Sequence, residues 1–124
     1  MNIEESEILI DPLIAEGQNF KPPTGVSKQI LCLLESVKIT YPESLDHTKE
    51  RCKQFLNKII KDQKSCVVFT HGIIYNMLLQ NLFPHYKFDA YLKSKDYIPH
   101  YCDTTVLEFN EKGDWNIIYS DIEL

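Results

Sequence analysis

Two residues in this sequence have the surroundings that acid–base or phosphate chemistry asks for, His71 and Glu16. His71 follows Cys66-Val67-Val68-Phe69-Thr70, a continuous β-favouring run, and precedes Gly72, after which Ile73, Ile74, Met77, Leu78 and Leu82 recur at helical spacing. The pattern predicts a buried strand, a tight turn and a helix. His71 then stands where the carboxyl end of a strand meets the free amides of a helix start, the usual ligand position of open α/β sheets. An anion suits it: the amides of Gly72 and Ile73, a histidine N–H and the helix dipole would together hold a phosphoryl group. A histidine that only ends a strand and caps a helix gives the same pattern. Glu16 lies in a polar loop bounded by Gly and Pro after an apolar segment, suited to present a carboxylate to a cleft as a general acid. Taken singly, a solvated loop glutamate reads the same way.

Other candidates fit structural roles better. Glu43 and Arg51 can meet at the start of a helix, the carboxylate lying near the positive end of its dipole. His47 falls in the first turn of that helix, His85 after Pro84, and His100 in Pro99-His100-Tyr101-Cys102 before a strand. Each reads as a surface or packing residue, with His100 the one closest to a cleft. Tyr41, Tyr75, Tyr97 and Tyr101 supply aromatic surface that usually serves core or interface. No glycine-rich phosphate loop, G-x-S-x-G elbow or H-E-x-x-H helix occurs.

The elements that must position these groups follow from spacing. Ile8-Leu9-Ile10 reads as a short buried strand stopped by Asp11-Pro12, since proline lacks an amide donor. Val26, Ile30, Leu33, Leu34 and Val37 predict a helix over 26–37, and Thr40-Tyr41-Pro42-Glu43 interrupts it. Ser44 caps the next helix, whose Leu45, Cys52, Phe55, Leu56, Ile59 and Ile60 share one face while Lys49, Glu50, Lys53 and Lys58 fall elsewhere. After a looser Tyr- and Lys-containing stretch, Thr104–Phe109 and Trp115–Tyr119 flank the turn sequence Asn110-Glu111-Lys112-Gly113-Asp114 as a β-hairpin. Helices alternating with a strand buried on both faces predict an α/β layer structure with the hairpin at a sheet edge.

Composition narrows the class. At 124 residues, 44% of them hydrophobic, the chain suffices for one packed domain over 1–124. A formal charge of −5 offers no basic field for direct nucleic-acid binding. Cys32, Cys52, Cys66 and Cys102 are widely spaced, with no zinc-site pattern, and three lie in apolar stretches where a reduced cysteine is a small core residue. A reducing compartment, cytoplasmic or nuclear, is the expectation, with no metal or cofactor. The acidic start Met1-Asn-Ile-Glu-Glu-Ser-Glu is followed by no signal-peptide core, and no apolar run reaches spanning length.

The ordered series Leu13-Ile-Ala-Glu16, Tyr41-Pro-Glu43-Ser44, Arg51, Val67-Val-Phe-Thr-His71-Gly72 and Pro99-x-x-Cys102-x-Thr104 to Phe109 resembles the histidine phosphatase (phosphoglycerate mutase-like) superfamily. Within it the series is most similar to the branch holding the suppressor-of-T-cell-signalling phosphatases and a transcription factor IIIC subunit. The resemblance covers nearly the whole chain and corresponds to the C-terminal portion of the family. It implies a three-layer sandwich, a mostly parallel sheet flanked by helices, without the first strand and its R-H-G motif. It also implies that Glu16 is the acid that protonates the leaving group, and that His71, with Gly72, binds the transferring phosphoryl group.

In that family the nucleophile is another histidine, in R-H-G, and further arginines grip the phosphate. This sequence has no R-H-G, and its only arginine, Arg51, matches a helix position outside the phosphate pocket. Losing one preorganised donor to a developing oxyanion costs roughly two to three orders of magnitude in rate, so the chain alone is expected to be inactive. An uncovered strand edge would leave backbone groups unpaired, so a second chain or another copy of this one is expected to cover it. Three accounts fit: a fragment of a phosphatase, a half-domain completed by another chain, or a reduced pseudoenzyme that keeps a binding role toward a phosphorylated ligand or a protein.

Overall fold

Serine hydroxyls start two of the three α-helices among the described residues. Ser27 accepts a hydrogen bond from the Ile30 amide (3.3 Å) ahead of α1 (Lys28–Ser36), and Ser44 accepts one from His47 (3.1 Å) ahead of α2 (Leu45–Asp62). The computed structural model that carries these elements describes residues 8–16, 27–39, 41–86 and 102–122. Before α1 stands a 3₁₀ turn, Pro12–Ile14, capped by Asp11, whose carboxylate accepts from the Leu13 amide. Gln63 closes α2 in the left-handed region (φ 52°), its amide donating to the Ile59 carbonyl. His71 precedes α3 (Gly72–Leu82).

The spacing of apolar residues on α2 decides the packing. Cys52, Phe55 and Leu56 are buried, Leu45, Ile59 and Ile60 half-buried, and Lys49, Glu50, Lys53 and Lys58 exposed, as the sequence predicts. This face meets α3, and the fully buried centre is Cys52, Ile74 and Met77, with Ile14, Leu45 and Leu78 packed around it. Buried Asn76 is satisfied within this layer: it donates to the Gly72 carbonyl and accepts from the Tyr86 hydroxyl. On α1, Leu34 is buried while Ile30 and Leu31 stay exposed.

The hairpin forms where predicted, from β1 (Thr105–Phe109) and β2 (Trp115–Ser120), paired antiparallel with Phe109 opposite Trp115 and their rings in contact. Asn110 shapes the turn by accepting from the amides of Lys112 and Asp114, and Gly113 takes φ +84°, where a Cβ would be strained. A register shift after Val106 leaves Ile118 as the extra residue of a bulge. Tyr75 ties α3 to β1 through its hydroxyl and that of Thr105, 2.6 Å apart.

Helices and strands are both present, yet the expected mostly parallel sheet with helices on both faces is absent from the described residues, which hold one two-stranded antiparallel sheet. The run 66–70, expected as a buried strand, pairs with no strand among them; residues 66–69 are exposed, Phe69 to 88%, and Thr70 is half-buried. Ile8-Leu9-Ile10 departs from expectation likewise, with Leu9 84% exposed. The reason is shared: β propensity is realised only through pairing with a neighbour, and no described strand lies alongside either segment. The cysteines follow suit. Among the four, Cys52 reaches the core, while Cys32, Cys66 and Cys102 are exposed; Cys32 and Cys66 stand beside apolar residues, Leu31 and Val67, that are themselves exposed. No helix among the described residues is long and apolar enough to cross a membrane.

Candidate functional site

Glu16 ends a short path of backbone that contributes no strand to a sheet, so side chains must hold it. Arg51, on the inner face of α2 and 1% exposed, reaches back with Nη1 to the carbonyls of Pro12 (3.2 Å), Leu13 (3.0 Å) and Ala15 (2.9 Å). Two turns further along the same helix, Lys58 Nζ bonds the Asp11 carboxylate at 2.9 Å. The remaining carbonyl, that of Ile14, accepts from Thr70 Oγ1 at 3.0 Å. Thr70 immediately precedes His71, so one hydroxyl joins the two loops that carry Glu16 and His71.

The other side of Arg51 is closed by Glu43. Its Nε and Nη2 each donate to a different carboxylate oxygen of Glu43 at 2.7 Å, a bidentate pair buried on both sides. Thr48 Oγ1 and His47 Nδ1 also contact that carboxylate, at 2.9 and 2.5 Å. Burial alone would push the Glu43 carboxyl up; the hydrogen bonds from Arg51, His47 and Thr48, with the Arg51 charge, outweigh it and hold the group at about 2. The predicted helix-start contact between Glu43 and Arg51 is thus present, and His47 proves to be part of it.

His71 and Glu16 lie near each other at the surface, His71 Nδ1 being 4.0 Å from Glu16 Oε2 with the two side chains 55% and 42% exposed. The distance allows electrostatic attraction but no direct hydrogen bond. His71 has extended backbone (φ −119°, ψ 164°) and its side chain makes no capping bond to α3, so the imidazole is not consumed by the helix start. Its carbonyl accepts from the Tyr75 amide at 2.8 Å, which leaves the amides of Gly72, Ile73 and Ile74 without intrahelical acceptors. The first turn of α3 carries no acidic side chain to offset its dipole. An imidazole, a carboxylate and the start of a helix therefore lie close together at the surface.

A family model for the histidine phosphatase superfamily (branch 1) matches residues 32–121. The chain belongs to this superfamily. Comparison with curated proteins and with solved structures gives no match. The matched span of this histidine phosphatase domain includes α2, the His71–Gly72 junction, α3 and the hairpin, while Glu16 lies before it.

Of the other sequence candidates, Tyr75 is engaged with Thr105, His85 is exposed, and Tyr41 is half-buried beside the cis Tyr41–Pro42 peptide. His100, Tyr97 and Tyr101 lie outside the described residues. Among the described residues no group of three His, Cys, Asp or Glu side chains could hold a metal ion. Thr70 is the residue that sequence reasoning missed. It reads there as the last β-favouring member of an apolar run; its one signal is a hydroxyl placed next to His71.

Proposed function

We propose that this histidine phosphatase domain binds a phosphate or phosphorylated ligand at His71 and the first amides of α3, Gly72 foremost, with Glu16 as the facing acid, and does not turn it over by itself. The observation that carries the reading is the fate of Arg51. The only guanidinium in the sequence is buried against Glu43 and three carbonyls, so it brings no charge to the opening at His71. Phosphoryl transfer spreads charge over three equatorial oxygens and needs several fixed cationic donors to stabilise it. An imidazole and a helix start suffice to bind an anion weakly. A charge-assisted hydrogen bond of roughly 1.5–3 kcal/mol with a dipole contribution of about 1 kcal/mol corresponds to phosphate affinity near the millimolar range.

Two measurements on the purified chain test this. Inorganic phosphate should shift the amide resonances of Gly72 and Ile73, and His71→Ala should abolish the shift. Hydrolysis of a generic aryl phosphate should not exceed that of the same variant. Turnover that His71→Ala removes would overturn the proposed inactivity, and phosphate shifts that survive the substitution would overturn the site.

A second reading, an interaction module, is favoured by the bare apolar residues Leu9, Ile10, Val67 and Phe69. In it, segments 8–10 and 66–70 are strands of a mostly parallel three-layer sandwich whose open edge is covered by a second chain or another copy of this one. The finer likeness to the suppressor-of-T-cell-signalling and transcription factor IIIC branch, with a cytoplasmic or nuclear setting, belongs to this reading and rests on the ordered series from Glu16 to Phe109. Mass measurement in solution decides it. A dimer, or a complex with a co-purifying chain that dissociates on Phe69→Lys substitution, is expected; a protease-resistant monomer would refute it.

A further inference from the structure

The four consecutive carbonyls of residues 12–15 are all taken by side chains from elsewhere in the fold. Arg51 takes Pro12, Leu13 and Ala15, and Thr70 takes Ile14. Within the segment itself, two weak turns of backbone bonding (Ile14 to Asp11 at 3.4 Å, Ala15 to Pro12 at 3.1 Å) fix only its local curl. Lys58 holds Asp11 at the start of the loop and Ile14 packs on the core, and the two side chains that bond the carbonyls nearest Glu16 are Arg51 and Thr70. Arg51 refers the loop to the core, since its Nε and Nη2 are clamped by buried Glu43 and only Nη1 is left to grip the loop. Thr70 refers it to the site, since its hydroxyl sits one residue from the imidazole and its acceptor two residues from the carboxylate.

We infer that Thr70 and Arg51 are positioning residues that set the separation of the Glu16 carboxylate from the His71 imidazole. The inference rests on the reading of Glu16 and His71 as one site. Neither residue touches the ligand: Arg51 is buried behind the loop and Thr70 spends its hydroxyl on Ile14. The two positions differ in what they tolerate. Serine keeps the Thr70 hydroxyl. Lysine cannot replace Arg51, because an ammonium lacks the planar fork that bonds Glu43 with one edge and the carbonyls with another.

The experiment measures the nuclear Overhauser contact between the Glu16 and His71 side chains in the full chain, whose carboxylate and imidazole lie 4.0 Å apart. Thr70→Val keeps the side-chain volume and removes the donor, and the contact should be lost. Thr70→Ser should restore it. A contact undiminished in Thr70→Val overturns the positioning role. Its absence from the parent chain overturns the underlying pairing instead. Should Thr70→Val fail to fold, the same contact in Arg51→Lys gives the second measurement: its loss in a variant whose circular dichroism matches the parent supports the role and its retention refutes it.

Discussion

Replacing Arg51 with methionine tests the central physical claim, that a buried ion pair organises this domain. The substitution preserves an unbranched, apolar side chain on the inner face of α2 but takes the bidentate guanidinium away from the Glu43 carboxylate, whose side chain is fully buried. Removing one member of such a pair costs about 3–5 kcal/mol, because the remaining charge keeps its desolvation penalty without compensation. The Glu43 shift gives an independent figure. Held at about 2 against an ordinary 4.5, the carboxyl contributes roughly 3 kcal/mol of native stability by linkage, within the same range. Against the 5–15 kcal/mol typical of a whole domain, that is a large share.

Urea unfolding followed by Trp115 fluorescence and far-ultraviolet circular dichroism measures the effect. With a slope of about 2 kcal/mol per molar urea, a 4 kcal/mol loss lowers the midpoint by about 2 M. The pH dependence supplies the sign. The folded-state carboxyl is depressed, so its contribution is fully present above about pH 4.5 and is lost as pH falls toward about 2, where the folded protein also protonates. Arg51→Met should therefore flatten the acid limb of stability between those values. Adding Glu43→Leu should recover part of the loss by removing the buried charge that Arg51 no longer balances. A single-variant midpoint shift below about 0.5 M, or an acid limb as steep as in the parent chain, would refute the buried-pair reasoning.

Three further outcomes follow from the same geometry. Cys52, buried beside the pair and with its thiol pushed up to about 11 by that burial, should resist an aromatic disulfide reagent in the native state while Cys32, Cys66 and Cys102 react; a fourth equally fast thiol would contradict its burial. Gly113→Ala should cost about 1–2 kcal/mol in thermal unfolding, from its φ of +84° alone, since an added methyl would meet the Ile60 side chain at an ordinary 3.7 Å. Ser44→Ala should cost about 1 kcal/mol by removing the cap at the start of α2, with Ser44→Thr close to the parent; equal melting of Ser44→Ala and parent would show the cap to be idle.

What was legible in the sequence was whatever local chemistry determines. The period of Leu45, Cys52, Phe55, Leu56, Ile59 and Ile60 marks α2 and its buried face, Ser44 marks its start, and Asn110 to Asp114 mark the hairpin turn. Periodicity could not say whether Cys66–Thr70 would find a neighbour. A continuous apolar run reads as a doubly covered strand only if other chain segments supply both covers, and that is a property of the assembly, not of the run. The site shows the same division. His71 ahead of Gly72 was readable as a helix start aimed at an opening, whereas the grip of Arg51 on residues 12–15 spans 36 to 39 positions and leaves no local trace.

The use made of Arg51 bears on what chemistry the domain can support. A guanidinium offers five donors; here two go to Glu43 and Nη1 goes to carbonyls, so nearly all its bonding capacity is spent before any ligand arrives. Turning it toward the opening would break the bidentate pair and free the Glu16 loop at the same stroke, so the residue that could add charge to the site is the one that keeps the site assembled. On the proposed reading, an anion at His71 would be held, among the described residues, by the imidazole and the α3 amides. Both favour an anion that is already formed, and neither supplies the converging charges that favour a phosphoryl group in flight. On the proposed reading, binding and turnover separate at this point: the geometry retained by Thr70, Arg51 and Glu43 would serve the first, and the second would require cationic groups that these elements do not provide.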